Sequence, residues 1–324
     1  MNNSFYSLSP DTVLNSVEEA LNQHLKNTRA TGKIFALNSL ENRVFEIEFE
    51  SEIANEKSVV AKFYRPGRWS KQQILEEHAF IEELREAEVP AVAPLVPLCS
   101  TDDGIFFTVF PKIRGRLKDE LNDEELRQVG RLLGRMHSVG ERSKSQHRLT
   151  LDLKTHGLTP LKLIQSSSLI EENFSQRYTQ ICEDFFSLAA TRIEDISTIR
   201  VHGDCHSGNI LWNERGPFFV DFDDMLTAPP VQDIWMIIKG RDPADVKMRE
   251  DLLNAYEEIK DFDRSSLSLI EVLRGLRMIH YSAWIVKRWE DPCFPQMFQH
   301  FGTPKYWSEE IQALDEVNNI LRGY

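Results

Sequence analysis

Basic residues are in short supply in this chain. It carries 38 lysines and arginines against 51 aspartates and glutamates, a formal net charge of −13 over 324 residues. A surface this acidic does not gather a phosphate backbone, so nonspecific nucleic-acid binding is excluded. It suits plain solubility, a cationic substrate or a basic peptide. Cysteine is rarer still: Cys99, Cys182, Cys205 and Cys293 lie far apart and form no C-x-x-C. Neither a disulfide framework nor a zinc site is indicated, and free thiols in a reducing compartment are expected. No apolar run approaches the ~20 residues of a membrane-spanning helix. The opening Met1-Asn2-Asn3-Ser4-Phe5 has neither a basic nor an apolar targeting segment. A cytoplasmic protein with no membrane partner is therefore expected. Glycine is limited to 15 positions, never as G-x-G-x-x-G, so a glycine-cradled phosphate loop of the usual kind is missing.

What is present is a foldable chain. Hydrophobic residues make up 41% and charged residues 27%, enough for a real core in one large domain or two lobes. Residues 11–27 read as a first helix. Val44–Glu50 alternates, with Phe45, Ile47 and Phe49 inward and Glu46, Glu48 and Glu50 outward, the period of a half-buried strand. A polar turn at 54–57 leads to a second strand, Ser58–Tyr64, as in an antiparallel hairpin. A helix follows over 71–87, opened by the Ser70/Gln73 capping box. Ile74, Ile81 and Leu84 form its inward stripe, and Glu77 falls on that stripe while Glu76 lies off it. An unpaired buried carboxylate is costly, so Glu77 needs a cationic partner; Glu76 is expected in solvent. A further strand at 105–110 runs into Pro111–Gly115, a natural connector.

Beyond residue 115 the pattern turns helical. Asn122 and Glu125 form a second capping box, and Leu126, Val129, Leu133 and Met136 the buried stripe, with Gly140 expected just past the helix end. Residues 160–195 read as further helix, and helices resume near Val231. Strands first and helices second predict an α+β, two-lobed fold: a small antiparallel-sheet lobe over 1–111 and a mostly helical lobe over 112–324, with the site at the seam.

The helical part is interrupted by the most informative stretch. Two short apolar strands deliver His202-Gly203-Asp204 with Asn209 five residues on, and Phe218-Phe219-Val220-Asp221. Two carboxylates and an amide on neighbouring strand ends place a base and a divalent cation around one phosphate, the working part of a kinase-type phosphotransferase. Such a reaction needs positioning and charge neutralisation. Asp204 is assigned the attacking hydroxyl, Asn209 and Asp221 the Mg²⁺, which prefers oxygen ligands, Lys62 the nucleotide phosphates, and Glu77 the aiming of that lysine. His202 is expected to brace the loop. Asp223 and Asp224 are either supporting or solvated. Asp233 either caps the helix that follows or hydrogen-bonds the loop backbone.

These residues resemble the aminoglycoside phosphotransferase and choline kinase branch of the protein-kinase-like fold, over nearly the whole chain. His202-Gly203-Asp204-x4-Asn209 with Val220-Asp221 is that superfamily's phosphotransfer pair. Leu37–Val44, Lys62–Trp69, Ile74–His78, Leu132–His137 and Val231–Met236 are similar to the bacterial stress response kinase A family. The resemblance implies an ATP- and Mg²⁺-dependent kinase acting on serine and threonine of protein substrates and on itself, a cytoplasmic monomer that protects cells under stress. It places Ser39 in the nucleotide-binding loop, as an ATP contact or a phosphorylated residue. The chain departs from ordinary protein kinases twice. Residues 37–43 hold no glycine, so Ser39, Asn42 or Arg43 side chains must do more there. Asp221-Phe222-Asp223 stands for Asp-Phe-Gly, which argues against a glycine-hinged flip.

Two other readings remain open. A small-molecule kinase of the same branch would suit a cationic acceptor; the basic residues Arg274, Arg277, Lys287 and Arg288, close in helical phase, would instead meet an acidic one or form a solvated face. A nucleotide-binding scaffold would have lost the base, a metal ligand or the lysine, and none is lost.

Overall fold

The computed structural model describes residues 3–25, 27–194 and 196–323. Two short helices open the chain, α1 (Asn3–Tyr6) and α2 (Pro10–His24). Ser9 caps α2 through Thr12 N–H at 3.1 Å, and the helix stops at His24, short of the expected 27; residue 26 of that range lies outside the described residues. Then come β1 (Ala30–Leu37), β2 (Arg43–Ile53), β3 (Glu56–Phe63), α3 (Lys71–Glu86), β4 (Cys99–Ser100) and β5 (Phe106–Pro111). The strands form one antiparallel sheet in the order β1-β2-β3-β5-β4.

The expected hairpin is there, with a tighter turn. Ala54 and Asn55 alone form the turn, both with positive φ (53° and 68°), Ile53 pairs Glu56, and the register slips between Glu48 and Ile53. Two positive-φ residues give the turn a twist that matches the strands. Phe45, Ile47 and Phe49 are buried as the alternation predicts. They share a core with Val13, Val17 and Leu21 of α2.

The remaining elements are α4 (Asp123–Gly140), α5 (Thr159–Gln165), α6 (Glu172–Ile193), β6 (Ile199–Val201), β7 (Ile210–Asn213), β8 (Gly216–Phe219), β9 (Leu226–Ala228), α7 (Val231–Ile237), α8 (Pro243–Glu257), α9 (Ile270–Arg288), α10 (Cys293–Met297) and α11 (Pro304–Arg322). The helix read over 160–195 is two helices, α5 and α6, and residue 195 lies outside the described residues. A second core joins these helices, and Phe80, Ile81 and Leu84 of α3 belong to it. So α3 turns its stripe toward the helical part, which carries Glu77 to the seam. Gly140 sits in the last turn of α4, not beyond it, and a Cβ there would fall on the Arg200 carbonyl of β6. Its role is close approach, not a left-handed cap. No helix among the described residues is long and apolar enough to cross a membrane.

Candidate active site at the seam

The strand pair expected around Asp204 and Asp221 is two separate ribbons, β6 with β9 and β7 with β8. Asp204 lies in the loop after β6. Asn209 stands just before β7 and Asp221 just after β8, so the antiparallel pairing puts them at one end of one ribbon; Val220 N–H donates to the Asn209 carbonyl at 3.0 Å.

The loop after β6 is held from behind. Gly203 has φ +85°, and a Cβ on it would collide with the Asp224 carbonyl. The backbone N–H groups of His202 and Gly203 both donate to the Asp233 carboxylate, each at 2.9 Å. Asp233 is fully buried and also contacts His137 Nε2 at 3.1 Å, while His137 Nδ1 meets the Tyr256 hydroxyl at 3.0 Å. Gln232 Nε2 donates to the Gly203 carbonyl at 2.9 Å. Of the two roles open to Asp233, the loop backbone is the one it takes. His202 braces the loop as expected: Nε2 donates to the Val220 carbonyl at 3.0 Å and Nδ1 accepts from Asp204 N–H at 3.4 Å.

The Asp204 carboxylate faces Arg277 Nη2 at 2.9 Å and His206 Nε2 at 3.4 Å. Asn209 Nδ2 donates to the Asp204 carbonyl at 2.9 Å. Burial alone would raise the Asp204 carboxyl, but the His206 hydrogen bond and the Arg277 charge overcome it and hold it well below the usual carboxylate range. Asp204 is therefore ionised throughout the physiological range.

Lys62, in β3, is buried, and its Nζ stands 2.9 Å from Asp223 Oδ1, 3.1 Å from Asp221 Oδ1 and 3.7 Å from Glu77 Oε1. Burial would lower its ammonium, but the three carboxylates raise it well above its ordinary value. The expected Lys62–Glu77 pair is present, yet Asp223 is nearer. Asp223 is almost fully buried, accepts from Asn42 Nδ2 at 3.0 Å and pairs with Arg68. Against the effect of burial, Lys62 and Arg68 hold its carboxyl low. Asp221 is the opposite case: its side chain is 56% exposed on a backbone with φ 60° and ψ 63°, a region a non-glycine residue enters at a cost.

Sequence reasoning missed Arg148. It lies in the irregular segment after α4, and its Nη2 pairs with Glu77 Oε2 at 2.9 Å while Nη1 donates to the Asp223 carbonyl at 3.0 Å. Its guanidinium covers the Trp69 ring at 4.5 Å. Burial pushes the Glu77 carboxyl up to about 7, with Lys62 and Arg148 opposing. Glu76 lies off the stripe and stays partly exposed, as its helical phase suggests, but it also accepts the N–H groups of Gln146, His147 and Arg148 at 2.6, 2.9 and 2.7 Å, and so fixes the segment that presents Arg148.

The loop between β1 and β2 closes the cleft through side chains. The hydroxyl of the exposed Ser39 accepts Asn42 N–H at 3.2 Å, and Asn42 in turn reaches Asp223. Arg43 turns away, donating to the Tyr6 carbonyl at 2.8 Å. Glu41 is clasped by Trp284 and by Arg288, at 2.9 Å from both Nε and Nη2. Asn209 and Asp221 bring an amide and a carboxylate to the same end of the β7–β8 ribbon, Asn209 turned to the Asp204 carbonyl and Asp221 to Lys62. Among the described residues no three His, Cys, Asp or Glu side chains cluster as a metal cage.

The model of the phosphotransferase enzyme family, APH, matches residues 35–270. The chain is 38% identical over 330 residues to stress response kinase A of Escherichia coli K12, covering 99% of this chain and 97% of that protein. It is 36% identical to a Salmonella typhimurium LT2 protein named serine/threonine protein kinase RdoA, covering 98% and 95%. Among solved structures, the amicoumacin kinase hAmiN complex with AMP-PNP, Ca²⁺ and Ami has a TM-score of 0.70 at 17% identity, with 89% of each chain covered. A choline kinase of Cryptosporidium parvum has 0.62 at 12% identity, with 97% of each covered. Those likenesses identify the sheet-plus-helices architecture as the protein-kinase-like fold. With 236 matched residues bracketing both Lys62 and the Asp204–Asp221 stretch, the chain belongs to the phosphotransferase enzyme family, in its stress response kinase A group.

Proposed function

We propose that this phosphotransferase is an ATP- and Mg²⁺-dependent kinase that phosphorylates serine and threonine hydroxyls of proteins, itself included, as part of a stress response. The observation that carries the reading is the buried Lys62 ammonium, ion-paired with Asp221 and Asp223 beside the loop that holds Asp204. A lysine this strongly protonated stays a point charge for phosphate oxygens. Asn209 and Asp221 would hold the metal ion, which when bound supplies charge neutralisation to the transferring phosphoryl group. Glu77 and Arg148 keep Lys62 in place. Asp204, ionised and fixed by Arg277 and His206, orients the acceptor hydroxyl and receives its proton late in the transfer, since a carboxylate held so low is a weak base. Asn42 and Ser39 would cover the nucleotide from the β1–β2 loop. On this reading residues 1–111 form the nucleotide-holding lobe and 112–324 the catalytic and acceptor lobe, in a cytoplasmic monomer. The names of the bacterial relatives support a protein acceptor.

The test is incubation of purified protein with γ-labelled ATP and Mg²⁺, with and without a generic protein acceptor, against Asp204→Ala. Label on protein that the variant fails to transfer is the expected result. The solved neighbours include an amicoumacin kinase and a choline kinase, which favours a small-molecule acceptor as the second reading. ATP turnover stimulated only by small alcohols would establish that reading instead.

A further inference from the structure

Helix α9 lays one stripe along the cleft: Arg277, Tyr281, Trp284 and Arg288, at i, i+4, i+7 and i+11 on one helical face. Trp284 and Arg288 are committed to Glu41. Arg277 is not committed in that way. Its one ion pair among the described residues is with the Asp204 carboxylate, at 2.9 Å, and its side chain stays 40% exposed. A guanidinium has five donors in a planar fork, and on a side chain this exposed one pair to Asp204 leaves others for a ligand.

An arginine is a poor neighbour for a cationic acceptor, and it stands beside the candidate base of a chain with net charge −13. Other basic residues stand near it, together with the carboxylates around Asp204. Lys239, exposed just after α7, makes no salt bridge among the described residues. Partial burial and then Arg277 lower its ammonium, while the Asp204 carboxylate opposes them. The His280 ring, open to solvent but crowded in the cleft, is pushed down to about 4 by desolvation, then by Arg277, Lys287 and Arg68, so it is neutral and screens nothing. Glu310, the carboxylate that bears on Tyr281, is pushed up to about 7 by burial.

We infer that the acceptor site takes a hydroxyl with an anion beside it, and that Arg277 is the residue that selects it, with Lys239 as a second contact. The shared chemistry is a carboxylate or phosphate near the accepting oxygen: a serine in an acidic or already phosphorylated segment, or a small anionic alcohol. The inference rests on the kinase reading above. The anion competes with Asp204 for the guanidinium, so the carboxylate is released toward the hydroxyl only when the right acceptor is in place. The transfer is otherwise the ordinary one: the hydroxyl oxygen bonds the γ-phosphorus, the bond to the β–γ bridging oxygen breaks, ADP leaves, and the hydroxyl proton passes to Asp204.

The experiment measures initial rates of the full chain with Mg²⁺ and γ-labelled ATP on two serine peptides of equal length, one flanked by Asp and Glu and one by Lys and Arg. A parallel arm offers glycerate and choline, which separates a protein source of the anion from a small-molecule one. The expected result is a kcat/KM at least tenfold higher for the anionic member of whichever pair is phosphorylated. Arg277→Glu should reverse that ratio, chiefly through the KM of the anionic acceptor. Arg277→Lys should restore part of it, and thermal melting and nucleotide affinity should show that both variants fold. Preference for the cationic member, or an unchanged ratio in Arg277→Glu, overturns the inference and leaves the kinase reading intact. Absence of label on every acceptor and on the protein itself overturns the kinase reading, and the acceptor assignment with it.

Discussion

Replacing Asp233 by alanine should loosen the loop that carries Asp204 without touching any group that meets substrate. Asp233 is fully buried, and its two oxygens serve the N–H groups of His202 and Gly203 at 2.9 Å each and His137 at 3.1 Å. Truncation leaves two backbone donors buried without acceptors, at about 1–3 kcal/mol each. It also removes a carboxylate from a buried network, a change that costs about 3–5 kcal/mol where such pairs are broken. These estimates overlap because they count the same bonds. With some relaxation or water entry, about 4 kcal/mol of lost stability is expected. For a chain of this size that lowers Tm by about 8 °C, at about 2 °C per kcal/mol. Asp204 follows Gly203 directly, and a displacement near 1 Å in a reacting group costs about 10²-fold in rate. Asp233→Asn keeps one acceptor oxygen and should lose about half as much stability. Urea unfolding followed by tryptophan fluorescence gives the first quantity, and label transfer from γ-labelled ATP at saturating nucleotide gives the second. If Asp233→Ala stayed within about 1 kcal/mol of the parent and within threefold of its turnover, the claim that this carboxylate holds the loop would be wrong.

Four further outcomes are expected. Asp204→Ala should retain nucleotide–Mg²⁺ affinity by calorimetry and lose about 10²–10⁴-fold in turnover, whereas Asp221→Ala should lose the metal-dependent part of that affinity; equal affinity losses in both would mean the two roles are not separate. Arg148→Ala strips Glu77 of its nearest cation and should cost about 3 kcal/mol in urea unfolding, while Arg148→Lys, unable to reach both Glu77 and the Asp223 carbonyl, should recover only part of it. Glu41→Gln weakens the clasp of the β1–β2 loop on α9 and should raise the nucleotide KM by about tenfold, the worth of one charge-assisted hydrogen bond, with the acceptor KM little changed. The buried imidazole of His156 is pushed down to about 3 by burial, with His280 and Arg277 adding to it. The unfolded chain binds a proton near pH 6.5 that the native site refuses, so this contribution is complete above pH 6.5 and is lost as pH falls toward 3, at about 1.4 kcal/mol per pH unit. His156→Gln should flatten the acid limb of stability against pH by that slope, and an unchanged limb would show that His156 is not desolvated.

Periodicity made part of this molecule legible. The alternation of Phe45, Ile47 and Phe49 gave the β2 face, and the phase of α3 put Glu77 inside with a need for a cation. β1 gave no such signal, because its burial along Ala30–Leu37 follows no two-residue rhythm at the edge of the sheet. β4 has only two residues, too few to carry a pattern. Glu77's phase was informative because a buried charge has few ways to be stable; Glu76's was not, because an outward side chain can still accept N–H groups from a segment 70 residues away. Arg148 belongs to that segment. No helix or strand sets its direction, so only the assembled tertiary structure reveals that it pairs with Glu77. Asp223 was half legible, since its place two residues after Asp221 does not say that a 3-10 turn over Phe222–Asp224 swings it under Lys62.

The basic residues of α9 mark the same boundary between pattern and partner. Helical phase groups Arg274, Arg277, Lys287 and Arg288 as one potential basic face, yet the structure divides them. Arg274 pairs with Glu271, donates to the Lys239 carbonyl and lies over Trp235, so it is structural. Arg288 holds Glu41, and Arg277 meets Asp204. At 1.5 Å per residue, Arg277 and Arg288 stand about 16 Å apart along one rigid helix. The middle of α9 therefore touches the loop that carries Asp204, and its C-terminal end the β1–β2 loop. Helical phase can show that charges share a face, but only the heights of their partners decide what each one does. On the proposed function those heights match the two halves of a phosphoryl transfer, the acceptor beside the middle of α9 and the nucleotide beside its C-terminal end.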